Sequence, residues 1–225
     1  MRIVVWNCCQ RSNAKLPLLE ALRPDVAVVP ESQSPTAASD PTRHVAQGPN
    51  AAKCLSVFSF GATTLNALET QLPWVLPVAV QGVDPFLLLA VWTVQRSGSP
   101  SYAKQVSIAI DTYEDELADG SAVLAGDFNC AGNTSDPKHH LRNVDRLREL
   151  GMHSAYHDLH GFEAGSEPVG TLYWRWKENA PFHCDLAFIP KAWTERLISV
   201  EVGTFDDWVA AGHSDHCPVT IELGK

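Results

Sequence analysis

Residues 122–129 read Ala-Val-Leu-Ala-Gly-Asp-Phe-Asn. The four small or branched apolar residues have the length and composition of a buried strand. Gly126 breaks the run, and Asp127 and Asn129 stand where a strand opens into a loop. Alone, an acid or amide at that position is ordinary turn chemistry. The construction recurs along the chain, however. Residues 3–6 are followed by Asn7, and residues 26–29 and Pro30 by Glu31. Asp185 opens the run 184–189, and Asp215-His216 stand just before 218–223. Carboxylates and amides at strand ends around one mouth are what a hard divalent cation and a phosphate ester require, because Mg²⁺ takes oxygen ligands and keeps several waters.

Working outward, further strands are expected at 55–58, 75–80, 86–91 and 198–202. The pair at 75–80 and 86–91 is joined across Gly82, Asp84 and Pro85 as a hairpin. Asn13 is expected to cap a helix through Leu22 that Pro24 stops. Val106, Ile110, Tyr113 and Leu117 make one face of a helix over 101–117, and Leu141, Val144, Leu147 and Leu150 mark another closed by Gly151. Residues 32–50, rich in Ser, Pro and Ala, read as a long surface loop. Strands outnumber helices and many neighbours are hairpin-like. The expected class is α+β, an α/β sandwich of two packed, mostly antiparallel sheets flanked by helices.

The composition fits one domain over 1–225. With 45% apolar and 19% charged residues, a chain of this length buries roughly 70% of its unfolded surface, so it needs no metal merely to fold. The longest apolar run, 86–92, is far short of the roughly 20 residues that span a bilayer. Met1-Arg2 runs straight into 3–6 with no room for a signal-peptide core, and a cytoplasmic location with no membrane partner is expected. The six cysteines form no CxxC and read as reduced, mostly buried side chains. Nine histidines match no tight zinc spacing. Against 26 Asp and Glu the chain has 17 Lys and Arg, a net charge of -9. That balance disfavours a binder that works by displacing counterions, but permits an enzyme that reaches phosphate through a bound cation.

Taken in order, Trp6-Asn7, Pro30-Glu31, Gly126-Asp127-Phe128-Asn129, His183-Cys184-Asp185 and Ser214-Asp215-His216-Cys217-Pro218 resemble the endonuclease/exonuclease/phosphatase superfamily, over residues 2–223. The resemblance implies a four-layered sandwich and Mg²⁺ or Mn²⁺ as cofactor. It makes Glu31 the principal metal ligand, with Asn7 and Asp215 close to the same cation. Asp127 and Asn129 then orient and activate the attacking water, His216 contacts the phosphoryl oxygen, and Asp185 holds the imidazole. The implied activity is metal-dependent hydrolysis of a phosphate ester, foremost a phosphodiester of nucleic acid. A small-molecule or lipid phosphate esterase is the alternative, and a catalytically dead binding module is a third reading. The resemblance leaves open whether His216 or Asp127 is the general base, and the sequence leaves the oligomeric state open.

The chain departs from the pattern at Trp92, where many relatives carry a His. Either Trp92 stacks on substrate, with the leaving group protonated by water or by Tyr102, or it is core filler. Thr171 and His183 are further candidate pocket residues. Trp174 and Trp176 alternate with Arg175 and Lys177, an interleaving that suits bases stacked along a single strand, or else a β-hairpin with one buried face.

Overall fold

The computed structural model describes residues 1–134 and 136–225. The chain begins β1 (Arg2–Val5), α1 (Ser12–Ala21), β2 (Val26–Ser32), β3 (His44–Asn50), β4 (Lys53–Ser59), β5 (Thr64–Ala67), β6 (Val75–Gln81) and β7 (Phe86–Trp92). It continues through α2 (Tyr102–Thr112), α3 (Glu114–Ala118), β8 (Ala122–Asp127), α4 (Pro137–Glu149), β9 (Met152–Ser154) and α5 (Ala155–His160). The remaining elements are β10 (Leu172–Tyr173), β11 (Pro181–Phe182), β12 (Asp185–Pro190), α6 (Lys191–Thr194), β13 (Leu197–Val202) and β14 (Val219–Leu223).

Twelve of these strands form two six-stranded sheets, in the orders β13-β14-β1-β2-β4-β3 and β5-β6-β7-β8-β12-β9. Neighbours are antiparallel except at two places, β1 with β2 and β7 with β8. Each parallel pair lies at the centre of its sheet and is joined by a helical crossover, α1 in the first sheet and α2 with α3 in the second. The architecture is the α+β sandwich expected from the strand pattern.

The layering follows from period-two alternation. In β1, Ile3 and Val5 enter the core between the sheets, whereas Val4 packs outward with Leu19 of α1. In β8, Val123 and Ala125 face inward while Ala122 and Leu124 pack outward with Val106 and Ile110 of α2. In β12, Ala187 and Ile189 face inward and Leu186 and Phe188 outward. The result is four layers, helix, sheet, sheet, helix. Continuing the inward rows past their last apolar residue gives Asn7 after Val5, Asp127 after Ala125, and Asp185 before Ala187. The same alternation that builds the core therefore delivers three polar side chains to one end of the sandwich.

Several local expectations are corrected. The second half of 32–50 is an edge strand, β3, in which Val45 is the one buried residue, so it lacks the apolar run of a central strand. β5, with only Leu65 buried, has the same weak signature. Asn13 does not cap α1. The helix starts at Ser12, preceded by Arg11 at φ 57°, and the Ser12 hydroxyl accepts from the Gln33 N–H instead. The helix over 101–117 breaks at Tyr113 into α2 and α3, yet Tyr113 and Leu117 stay in the same buried cluster, so the apolar spacing survives the break. Among the described residues no helix is long and apolar enough to cross a membrane.

Candidate active site

Asp127 ends β8 directly opposite Asp185, the first residue of antiparallel β12, and beside Trp92, the last residue of parallel β7. Both carboxylates are fully buried. Gly126 makes this close packing possible: at φ +151° it lies so near β7 that an added Cβ would sit 1.9 Å from the Val91 carbonyl oxygen. Asn129, at φ 48°, folds the chain back so that its backbone N–H donates to Asp127 Oδ1 at 2.9 Å and its side-chain amide to Asp127 Oδ2 at 2.9 Å. Asn tolerates that left-handed conformation better than most residues. The same amide also donates to the Thr93 carbonyl at 3.0 Å, and the Thr93 hydroxyl donates to the Phe128 carbonyl, locking the turn from β7.

Two further hydrogen bonds join this sheet to the other. The Asn7 amide donates to Asp127 Oδ2 at 2.9 Å, and His216 Nδ1–H donates to Asp185 Oδ2 at 2.8 Å. Asn7 and His216 belong to the β1 and β14 ends of the first sheet, and Asp127 and Asp185 to the second. Backbone contacts fix these side chains in turn. The Ser214 hydroxyl donates to the Asn7 carbonyl and accepts from the His216 N–H, and the Trp6 indole donates to the His216 carbonyl. The Thr171 hydroxyl accepts from the N–H groups of both Cys184 and Asp185 at 3.0 Å.

Charge is unevenly shared here. Burial, and then the facing Asp185, push the Asp127 carboxyl well above the usual carboxylate range. Burial alone would lower His216, but Asp185 at its Nδ1 outweighs that and raises it above the usual imidazole value, toward the protonated form. Burial, followed by Asp127 and Asp185, holds the Cys184 thiol protonated. Glu31 projects from the irregular end of β2 at φ 56°, where the register with β4 shifts, and its Oε1 lies 3.0 Å from the Lys53 ammonium. Asp215 and Glu31 both act on the half-buried Cys9, which burial and then these two carboxylates push up to about 11. Asp127, Asp185 and Asp215 thus bear on the buried His216 ring, while Glu31 lies at the rim with the Lys53 ammonium and, across Cys9, near that of Lys15.

The residues fit a divalent cation. Asp185 Oδ1 is buried with no hydrogen-bond partner. Ligand atoms of Asp127, Cys184, Asp185 and His216 lie within 4.8 Å of one another, and of these the two carboxylates are the hard oxygen donors, the thiol and the imidazole being held toward their protonated forms.

Not every candidate lies in this array. Tyr102 lines a cavity of about 400 Å³ beside it, together with Asn129, Cys130, Leu172, Trp174 and Phe182. Trp92, 5% exposed, belongs to the core between the sheets, with the Lys53 ammonium 5.7 Å from its ring centre. Thr171, fully buried, serves the backbone of 184–185 and offers no surface to a ligand. His183, 3% exposed, is turned away toward Tyr156 and donates from Nδ1 to the Val169 carbonyl. Thr93 was not singled out from sequence, and Ser214 only as part of a motif. Both act on backbone atoms, which leaves no spacing signal.

The fold, over its whole length, is shared with solved structures at 20% identity or less. Among solved structures, the chain is similar to the 3′-5′ exonuclease NExo from Neisseria meningitidis, with TM-score 0.69 and 20% identity over 100% of both chains. A Neisseria 3′ phosphatase NExo structure bound to product DNA hairpin gives TM-score 0.72 and 19% identity, also over 100% of both chains. An AP endonuclease from Archaeoglobus fulgidus gives 0.74 and 17%, over 99% of each chain. No family model matches the chain, and neither does any curated protein.

Proposed function

We propose that this protein is a divalent-metal-dependent phosphoesterase that hydrolyses phosphodiester bonds of nucleic acid. The observation that carries this reading is the buried array itself, with Asp127 held by three N–H donors from Asn7 and Asn129 and His216 clamped on Asp185. It is supported by similarity to structures described as an exonuclease, a 3′ phosphatase bound to product DNA and an AP endonuclease.

Glu31, Asn7 and Asp215 are the residues that hold the cation in this reading. When bound, such a cation neutralises charge that develops on the phosphoryl oxygens. The protein's own groups do the rest. Asp127, with its basicity raised by burial and Asp185, accepts the proton of the attacking water, while Asn7 and Asn129 fix the direction of its lone pairs. In this reading His216, its Nδ1 bonded to Asp185 and the proton favoured there, acts as donor and not as base. Its Nε2–H donates to a phosphoryl oxygen, and Asp185 keeps the proton on the ring. The Tyr102 phenol, kept protonated by burial and then by Asp127, presents an O–H to the cavity side of the array for the leaving oxygen.

The test is a turnover screen with Mg²⁺ or Mn²⁺ on bis(p-nitrophenyl) phosphate, single-stranded DNA, duplex DNA, 3′-phosphorylated DNA and RNA. Turnover on at least one nucleic acid, abolished by chelator, is the expected result. Tight nucleic-acid binding with no turnover under any metal would assign a binding module and overturn the proposal.

A further inference from the structure

The β10–β11 hairpin carries a feature that the hydrolytic array does not use. Its two short strands pair Leu172 with Phe182 and Tyr173 with Pro181, and the connecting turn holds Trp174 at 54% exposure and Trp176 at 41%. The hairpin has the one buried face expected of it, Leu172 and Phe182 against Ala131 and Cys184, but neither indole is on that face. The turn is nevertheless ordered by its own backbone. The Trp174 N–H donates to the Ala180 carbonyl at 3.1 Å, and the Ala180 N–H to the Lys177 carbonyl at 3.1 Å. Arg175 and Trp176 adopt positive φ of 57° and 63°, which keeps the two rings out in solvent, with the Arg175 guanidinium 5.9 Å from the centre of the Trp174 ring.

The hairpin is also tied to the active site. The Tyr173 N–H donates to the Asp215 carbonyl at 2.8 Å, Leu172 bridges to His216, and Trp174 shares the 400 Å³ cavity with Asn129 and Tyr102. The cavity therefore joins Asn129, which holds Asp127, to the exposed Trp174 indole, and Arg175, Trp176 and Lys177 follow it in the turn.

From this continuity we infer that the Trp174–Trp176 turn is a stacking platform for unpaired nucleobases, which grips a single-stranded polynucleotide whose phosphate lies at the Asp127–His216 array. The inference rests on the nucleic-acid reading above. Aromatic faces take any base, but only one whose own face is free, so a closed duplex cannot use them. The chain's charge of -9 leaves few cations to displace counterions from a duplex. Affinity comes from stacking, with Arg175 and Lys177 on two phosphates and His216 on a third.

The experiment measures binding of fluorescein-labelled oligo(dT) by anisotropy in EDTA, so that no turnover intervenes. Trp174→Ala with Trp176→Ala should weaken binding roughly ten- to a hundredfold. The melting temperature should not change, because both rings are exposed. The logarithm of affinity should fall against log salt with a slope of about -2, for three phosphates on a single strand. A base-free deoxyribose-phosphate polymer should bind no better than the doubly substituted protein binds oligo(dT). Wild-type affinity in the double variant, equal affinity for the base-free polymer, or a slope of about -4 would each overturn the platform. So would a dimer in sedimentation that dissolves on the same substitutions, since that assigns the face to a second copy. Hydrolysis of bis(p-nitrophenyl) phosphate with Mn²⁺, measured separately on the unaltered protein, tests the phosphoesterase reading without involving any base.

Discussion

Asp127 and His216 are both buried titratable groups whose neighbours drive them to opposite tasks, one to take a proton and the other to keep one. Asp127→Asn keeps the side chain's shape but removes the basic oxygen and sets its own –NH2 against at least one of the N–H donors from Asn7 and Asn129, and His216→Ala removes the donor. Each should lower kcat/KM on bis(p-nitrophenyl) phosphate by at least about 10²-fold, and His216→Ala, which leaves the buried Asp185 carboxylate without its partner, should also destabilise the fold by about 3 kcal/mol or more. Near-normal turnover in either would reject the assigned roles. Trp92 gives the opposite test. It sits in the core between the sheets, so Trp92→His should destabilise the protein by about 3 kcal/mol or more. Its preference between aryl and alkyl leaving groups should stay unchanged in paired rate measurements. Asn7, Asp127, Asp185, Asp215 and His216 were legible in the sequence because each interrupts or borders an apolar strand. The fate of Thr171, His183 and Trp92 was not, because a short motif does not tell which way a buried ring or hydroxyl turns.

Among the elements, β8 is the most exacting. Its last residues must run close against β7 while still presenting Asp127 inward, and only the missing side chain at Gly126 permits that. Gly126→Ala places a methyl group against the Val91 backbone, which cannot yield as the tip of a flexible side chain would. The expected cost is about 3 kcal/mol, seen in urea unfolding. Activity should fall further than stability, since Asp127 must shift with the strand. A variant of wild-type stability would show that β7 gives way after all. The central strands β1, β2, β6, β7, β8 and β12 were readable because both faces are buried, or one face alternates cleanly. The edge strands β3 and β5 each bury a single hydrophobic residue, so the sequence carries almost no periodic signal for them.

For the molecule as a whole, the surplus of carboxylates at one end of the sandwich makes stability depend on cations. Mn²⁺ at about a hundred times its dissociation constant should stabilise the folded state by about 2.7 kcal/mol. For a chain of this size that is a rise in melting temperature of roughly 5 °C or more, reversed by chelator. Glu31→Gln together with Asp215→Asn should abolish the rise, and a rise that persists would place the cation elsewhere. The bonds from Asn7 to Asp127 and from His216 to Asp185 have one further consequence. Each spans the seam between two slabs that are otherwise held there largely by apolar contact. Apolar contact has no preferred direction and tolerates a slide of about an ångström, whereas a hydrogen bond of ordinary length does not. The site therefore acts as a vernier on the alignment of its two slabs. As denaturant loosens the molecule, turnover will be lost while the circular dichroism of both sheets is still that of the native protein.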